Sequence, residues 1–425
     1  MQIIGIDIGT TSICGVAIDT ENGAVLKSKT INSEAFIESD KPYEKIQSPK
    51  KIISIATEIL NNLITNDTAA IGVTGQMHGI VYTDENGKSV SPLYTWQDKR
   101  GDEPFLNTTY AKHLGSFTGY GCVTDFYNRK NNLVPKNAVS FCTIHDYFVM
   151  TLCGVNKPII HSTNAASFGL YDIKNNRFTN GFSPEITTDY RIVGKYKNIP
   201  VSVAIGDNQA SVFSTLKHEN ELLINVGTGS QVSIISDHII KGENLEVRPY
   251  FDNKYLIVGA ALCGGRAYSL LKDFYKAILS KISDITDQKV YEIMNDMLNS
   301  QSTALSVDTR FAGTRQNSDI NGSIKGITTE NFTPEALTKG MISGMCDELY
   351  NMFINMKTEI SGIVGSGNGI RKNKHLIKLC EEKFENEMKI PTHLEEAAIG
   401  AALFSGICAG IFKDSKEAQK NINYR

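Results

Sequence analysis

The sequence predicts an α/β protein built from two related domains, on two observations. The chain has 425 residues, more than one ordinary hydrophobic core holds. A strand, a glycine–threonine turn and a second strand also occur near the start of each half of the chain. Such a repeat suggests two domains of similar build facing each other across a cleft. The boundary is expected near residues 199–204, giving domains 1–202 and 203–425.

The opening hairpin comes from apolar Gln2 to Ile8, the break Gly9-Thr10-Thr11, and apolar Ile13 to Ile18. A further turn at Thr20 to Gly23 leads to a third strand from Ala24. Lys50 to Leu63 carries Ile52, Ile55, Ala56, Ile59, Leu60 and Leu63 at helical spacing. A strand over 70–73 runs into Gly75-Gln76-Met77-His78-Gly79. From about Arg100 to Asn198 the pattern is less regular, with a helix over 143–152 and a turn at Asn175-Asn176-Arg177. The second hairpin is Glu221 to Val226, Gly227-Thr228-Gly229-Ser230, and Gln231 to Ile235. A strand over 255–260 then ends in Gly264-Gly265. A helix follows, with Tyr268, Leu271, Phe274, Tyr275 and Ile278 on one side.

Composition narrows the function. With 41% hydrophobic and 21% charged residues and a formal net charge of −3, the chain lacks the clustered basic excess of a nucleic-acid binder. No stretch approaches the ~20 apolar residues of a membrane span. Asp7 interrupts the first apolar run, against a signal peptide. The eight cysteines have no C-x-x-C pair and sit mostly among apolar neighbours, as buried free thiols do. A cytoplasmic protein, monomer or homodimer, without nucleic-acid or membrane partners, is expected.

Five stretches can carry chemistry. In Asp7-Ile8-Gly9-Thr10-Thr11-Ser12, a glycine turn with three hydroxyls can cradle phosphate, and a strand-end carboxylate can hold Mg²⁺. A plain hairpin with a polar turn is the alternative. Val226 to Ser230 repeats the logic without a carboxylate. In Gly206-Asp207-Asn208-Gln209-Ala210, Asp207 ends an apolar strand and can accept a hydroxyl proton, or can cap a helix starting at Asn208. Gln76, Met77 and His78, with Trp96, Asp98 and Arg100, offer polar groups and an aromatic face to a sugar. On spacing alone, a turn histidine and a local surface ion pair are the better account of His78, Asp98 and Arg100. Gly365 to Asn373, strand then glycine turn then helix, can seat a nucleoside or be a flexible loop. No P-loop signature or dinucleotide fingerprint is present.

In this order the five stretches resemble the FGGY family of carbohydrate kinases, from Asp7 to about Ala402. The resemblance implies an actin-like ATPase (ribonuclease H-like) fold, with ATP and sugar in the cleft of two βββαβα domains. It implies Asp207 as catalytic base and Asp7 as the Mg²⁺-associated carboxylate. Gln76, Met77, His78, Trp96, Asp98, Arg100, Asn208 and Gln209 become substrate contacts. Gly9, Thr10, Thr11, Ser12, Gly227, Thr228 and Gly229 become phosphate contacts, and Gly264, Gly265, Gly369 and Asn373 the adenosine side. The stretches 119–124, 143–147 and Asn164 to Ser167 look like the sedoheptulokinase branch. Sedoheptulose is therefore the expected substrate, with D-xylulose second. Phe311 to Arg315 falls where the family has Gly-Glu-Arg; Thr314 replaces the acid, so no role is assigned. A non-kinase ATPase of the same superfold and a dead sugar sensor are the rivals.

Overall fold

The computed structural model describes residues 1–425 apart from Ser183, Arg315 and Ser318. It divides into two compact units. The first holds Met1–Lys217, Arg248–Lys254 and His393–Asn423, and the second His218–Val247, Tyr255–Thr392 and Tyr424–Arg425.

The first unit is organised by β1 (Gln2–Ile8), β2 (Ser12–Asp19), β3 (Val25–Asn32), β4 (Thr68–Gly75), β5 (Ile192–Tyr196), β6 (Ile199–Ser202) and β7 (Ile205–Gly206). The strand order is β5-β6-β4-β1-β2-β3, with β7 beside β4. β1 and β2 pair antiparallel from Gln2 opposite Asp19 to Ile8 opposite Ile13, and β1 and β4 run parallel. Helix α1 (Pro49–Leu63) starts where Ser48 accepts the Lys51 N–H and Pro49 supplies a preset φ. It buries Ile52, Ala56, Ile59, Leu60 and Leu63 with Ile4, Ile6 and Ile8. Each isoleucine or leucine among them contributes about 2 kcal/mol on burial. Helix α2 (Ile144–Cys153) is opened by a capping box between Thr143 and Asp146. Helix α3 (Asp207–Thr215) follows β7 directly.

The second unit has β8 (Glu221–Val226), β9 (Ser230–Ser236), β10 (Leu245–Pro249), β11 (Tyr255–Ala261), β12 (Gly362–Ser366) and β13 (Met388–Lys389), in the order β10-β11-β9-β8-β12-β13. Its helices are α4 (Gly264–Leu279), α5 (Asp287–Met297), α6 (Pro334–Met356), α7 (Gly367–Lys372) and α8 (Lys374–Phe384). The chain then returns to the first unit as α9 (Glu396–Cys408), which packs on β1, β4 and α3. The approach is too close for side chains. A Cβ on Gly5 would lie 1.7 Å from the Ala398 carbonyl oxygen, and one on Gly72 1.9 Å from that of Ala401.

Several expectations change. The contact units do not follow the 202/203 division, because β7 pairs with β4 and α3 packs on α9, keeping Asp207 in the first unit. Helix α3 starts at Asp207 itself with Gly206 as its N-cap, so Asp207 is not a capping residue. Gly367 to Lys372 is helix rather than flexible loop. On α4, Ala267, Leu271 and Tyr275 are buried, whereas Phe274 and Ile278 are 54% and 52% exposed and face away from the core. All eight cysteines are free, six buried and two half-buried. Among the described residues no helix is long and apolar enough to cross a membrane.

Candidate active site

In the first unit, the ends of β1, β4 and β7 place three predicted segments side by side. Asp7 lies opposite Thr74, and Gly206 opposite Gly75. Asp207 takes the next position after β7, half-buried. Burial pushes its carboxyl up to about 6, against the pull of Arg248 and of the Asn208 N–H. Burial pushes Asp7 further, to about 7, helped by Asp207 and then Glu395. Among the described residues no donor is bonded to the Asp7 carboxylate, and no group of three or more His, Cys, Asp or Glu has metal-binding spacing. An unpartnered, charge-crowded carboxylate fits a hydrated Mg²⁺, which usually takes one or two protein carboxylates beside substrate phosphates.

Next to Asp207, Asn208 Oδ1 and Gln209 Oε1 are buried acceptors without a donor among the described residues. Gln209 Nε2 is tied to the Pro249 carbonyl at 3.0 Å. Met77 packs against Gly206, where a Cβ would come within 3.0 Å of its sulfur. The Asn208 and Gln209 oxygens are closed off from solvent as well as unpaired among the described residues, and Gln209 is 0% exposed.

His78 has φ +72°, a left-handed conformation that persists only when held. Its N–H donates to Ser167 Oγ at 3.2 Å, and its Nδ1 lies 2.7 Å from the Ser167 carbonyl oxygen. The Tyr120 ring stacks on the imidazole with centroids 4.3 Å apart. Gly119 has φ +79°, and a Cβ there would lie 2.0 Å from the Trp96 carbonyl oxygen, so the Tyr120 loop sits directly on Trp96. Trp96 is 47% exposed, and its Nε1 donates to Thr10 Oγ1 at 3.0 Å.

Thr10 also links the first hairpin turn to Gln76. Its hydroxyl bonds Gln76 Oε1 at 3.3 Å, Gln76 Nε2 bonds Gln47 Oε1 at 2.9 Å, and Gln47 Nε2 returns to the Thr10 carbonyl at 2.7 Å. Gln76 is therefore a buried link. Gly9 is the turn's tight point: a Cβ there would lie 2.7 Å from the Ser12 carbonyl oxygen, while Thr11 is exposed.

Asp98 and Arg100 differ from the expected surface pair. They are 0% and 1% exposed. Arg100 Nε donates to Asp98 Oδ1 at 2.7 Å and Nη2 to Oδ2 at 3.1 Å; Nη1 reaches Asn128, and the guanidinium lies 4.2 Å from the Tyr94 ring centroid. The Lys45 and Arg100 backbone N–H groups, both at 3.1 Å, complete the carboxylate shell. The pair anchors the Trp96 loop from below, where no atom is left for a sugar.

In the second unit, the turn between β8 and β9 closes with the Gly227 N–H on the Gly229 carbonyl at 2.9 Å. The Gly265 N–H bonds the Gly227 carbonyl at 3.0 Å. A Cβ on Gly265 would fall 2.3 Å from that oxygen, and one on Gly264 2.5 Å from the Gly229 carbonyl carbon. These glycines bring the start of α4 against the turn. A cavity of about 1070 Å³ opens beside them, lined by Gly227, Thr228, Gly265, Gly369 and Asn373. Gly229 and Gly264 shape the turn behind that wall. Tyr268 and Tyr291, stacked 5.9 Å apart, form another side of the cavity. Bare backbone at one wall and rings at another fit a purine nucleotide, and the volume is ample for one. Asn373 Oδ1 accepts the Leu376 N–H at 3.0 Å, so it caps α8 as well.

Sequence reasoning missed Gln47, Thr163, Arg248 and Tyr291, which lie in stretches with no local signature; Tyr120 was noticed only through the resemblance of its stretch, and Tyr268 only as part of a helix face. Asn164 and Ser167 were noticed only through their resemblance. Arg315 lies outside the described residues.

Residues 2–184 match the N-terminal domain of the FGGY family of carbohydrate kinases. The chain is 28% identical to a sedoheptulokinase of Homo sapiens over 94% of its own length and 96% of the relative's. It is 24% identical to a xylulose kinase of Staphylococcus xylosus, over 95% and 90%. A solved xylulose kinase from Lactobacillus acidophilus superposes with a TM-score of 0.83 at 19% identity, covering 100% of this chain and 92% of that one, which shows the shared fold. Residues 2–184 therefore carry an FGGY-type carbohydrate-kinase N-terminal domain, and the chain is a sugar kinase.

Proposed function

We propose that the enzyme phosphorylates a ketose with MgATP, sedoheptulose to sedoheptulose 7-phosphate ahead of D-xylulose to xylulose 5-phosphate. The observation that carries the choice of sugar is the similarity to human sedoheptulokinase along nearly the full length of both chains.

The ketose binds in the first unit against Met77, His78, Tyr120 and Trp96, beside the half-buried Asn208, while Gln209, tied to the Pro249 carbonyl, supports the site from behind. Asp207 orients the terminal primary hydroxyl and accepts its proton as the γ-phosphoryl is transferred in line. Such a step asks mainly for positioning and charge stabilisation. The adenosine lies in the glycine-walled cavity of the second unit. Thr11 and Ser12, and separately Thr228, offer hydroxyls to phosphate oxygens, and the Thr10 turn offers its N–H groups, the Thr10 hydroxyl being committed to Gln76 and Trp96. Asp7 would hold Mg²⁺, whose charge neutralises that developing on the phosphates. Asp98 and Arg100 support Trp96 without touching sugar.

A panel of ketoses and polyols with ATP, read by coupled ADP release, tests the reading. Sedoheptulose should give the highest kcat/KM. A polyol such as glycerol exceeding every ketose would refute it.

A further inference from the structure

We propose that Thr163, Asn164 and Ser167 form a buried positioning element that sets the proton acceptor and the sugar loop in register. The proposal rests on the assignment of Asp207 as base and His78 as a sugar contact.

The three residues lie on a short helical turn, Ser162–Ala165, that runs into a 3-10 turn, Ala166–Phe168. Thr163 and Asn164 are 0% exposed and Ser167 4%. One end of the segment holds the strand that delivers Asp207. Thr163 Oγ1 accepts the N–H of Gly206, the residue before Asp207, at 3.0 Å. The same hydroxyl lies 2.9 Å from His161 Nδ1. It donates there and keeps a lone pair for Gly206. Asn164 Nδ2 donates to the Ala204 carbonyl and to Asp146 Oδ1, each at 3.1 Å. Its Oδ1 faces His145 Nε2 at 2.9 Å. With both N–H groups of the amide committed, Oδ1 is the acceptor, and a rotated amide would break the bonds to Ala204 and Asp146.

The other end holds the sugar loop. Ser167 Oγ donates to the Asn164 carbonyl at 2.7 Å and accepts the His78 N–H at 3.2 Å. The Ser167 carbonyl takes His78 Nδ1 at 2.7 Å. A carbonyl only accepts, so Nδ1 carries the proton, which fixes the tautomer and the orientation of the ring. These bonds also hold His78 in its left-handed backbone conformation. One segment of five residues thus grips both working groups, through contacts 43 and 89 positions away in sequence. A site held through locked, buried supports keeps its geometry.

Because the two grips lie at opposite ends, they separate kinetically. Thr163→Val removes the hydroxyl at constant shape and frees Gly206. It should lower kcat by about tenfold and leave the sugar KM within about twofold. Thr163→Ser should restore kcat to within about twofold of wild type. Ser167→Ala frees His78 and should raise the sugar KM by about tenfold, with kcat within about threefold. The ATP KM should not move in any of them. If Thr163→Val does not fold, Thr163→Ala is read by the same split. If kcat and sugar KM move together in both variants, if neither moves, or if Thr163→Ser fails to rescue, the positioning role is overturned. Asp207→Asn, run alongside, separates the two layers: full activity there would remove the base assignment itself, whereas an inactive Asp207→Asn with no split removes only the positioning element.

Discussion

Arg100→Met tests whether the anchor beneath Trp96 is as dry as its geometry indicates. The substitution keeps an unbranched apolar stem and deletes the guanidinium. Asp98, 0% exposed, then keeps two backbone N–H bonds and loses the cation that held both its oxygens. Asn128 loses its donor, and the stacking on Tyr94 at 4.2 Å goes too. Removing one partner of a buried pair costs about 3–5 kcal/mol, most of it the stranded charge. With a urea m-value of about 2–3 kcal/mol/M, that moves the unfolding midpoint down by about 1–2 M. Asp98→Asn combined with Arg100→Met removes the stranded charge and should recover at least about 1 kcal/mol. Urea titration followed by circular dichroism gives all the midpoints. A single-variant loss under about 1 kcal/mol, or a double variant no better than the single, would refute the reasoning.

Three further outcomes are expected. The low-pH limb of kcat/KM for the sugar should fall about tenfold per pH unit below about 6, because burial raises the Asp207 carboxyl and only its ionised form accepts a proton; a profile flat to pH 4.5 would contradict this. Burial lowers the His145 imidazole to about 4, below the ordinary ~6.5, so the folded state favours its neutral form. That contribution is complete above pH ~6.5 and is lost as pH falls towards 4, so the wild type should lose about 3 kcal/mol relative to His145→Gln over that window; a stability difference independent of pH would count against it. Gly265→Ala puts a Cβ 2.3 Å from the Gly227 carbonyl oxygen, and should weaken ATP binding by about tenfold or more while sugar affinity, read by calorimetry, stays unchanged.

What the sequence made legible was local. The two hairpins announce themselves because glycine and threonine interrupt isoleucine-rich runs, and α1 because its apolar residues recur at helical spacing. Asp98 and Arg100 were visible as a pair. Their burial was not, because Asn128, Tyr94 and Tyr127 reach them from other segments. The role of Thr163 was hidden for the same reason: its partner is 43 residues away. Phe274 and Ile278 share a helix with Leu271 and Tyr275 but not its buried side, and periodicity alone does not say which apolar stripe meets the core. The return of α9 to the first unit left one faint trace, the small residues Ala398, Gly400, Ala401 and Ala402, which suit the close approach it makes to β1, β4 and α3.

The most direct test of the account is Asp207→Asn, which keeps the shape of the side chain and removes its basicity. Turnover with the best ketose should fall by about 10³-fold, while calorimetry gives a sugar Kd within about threefold of wild type. Near wild-type turnover in the Asn variant would contradict the assignment of Asp207 as the group that accepts the proton.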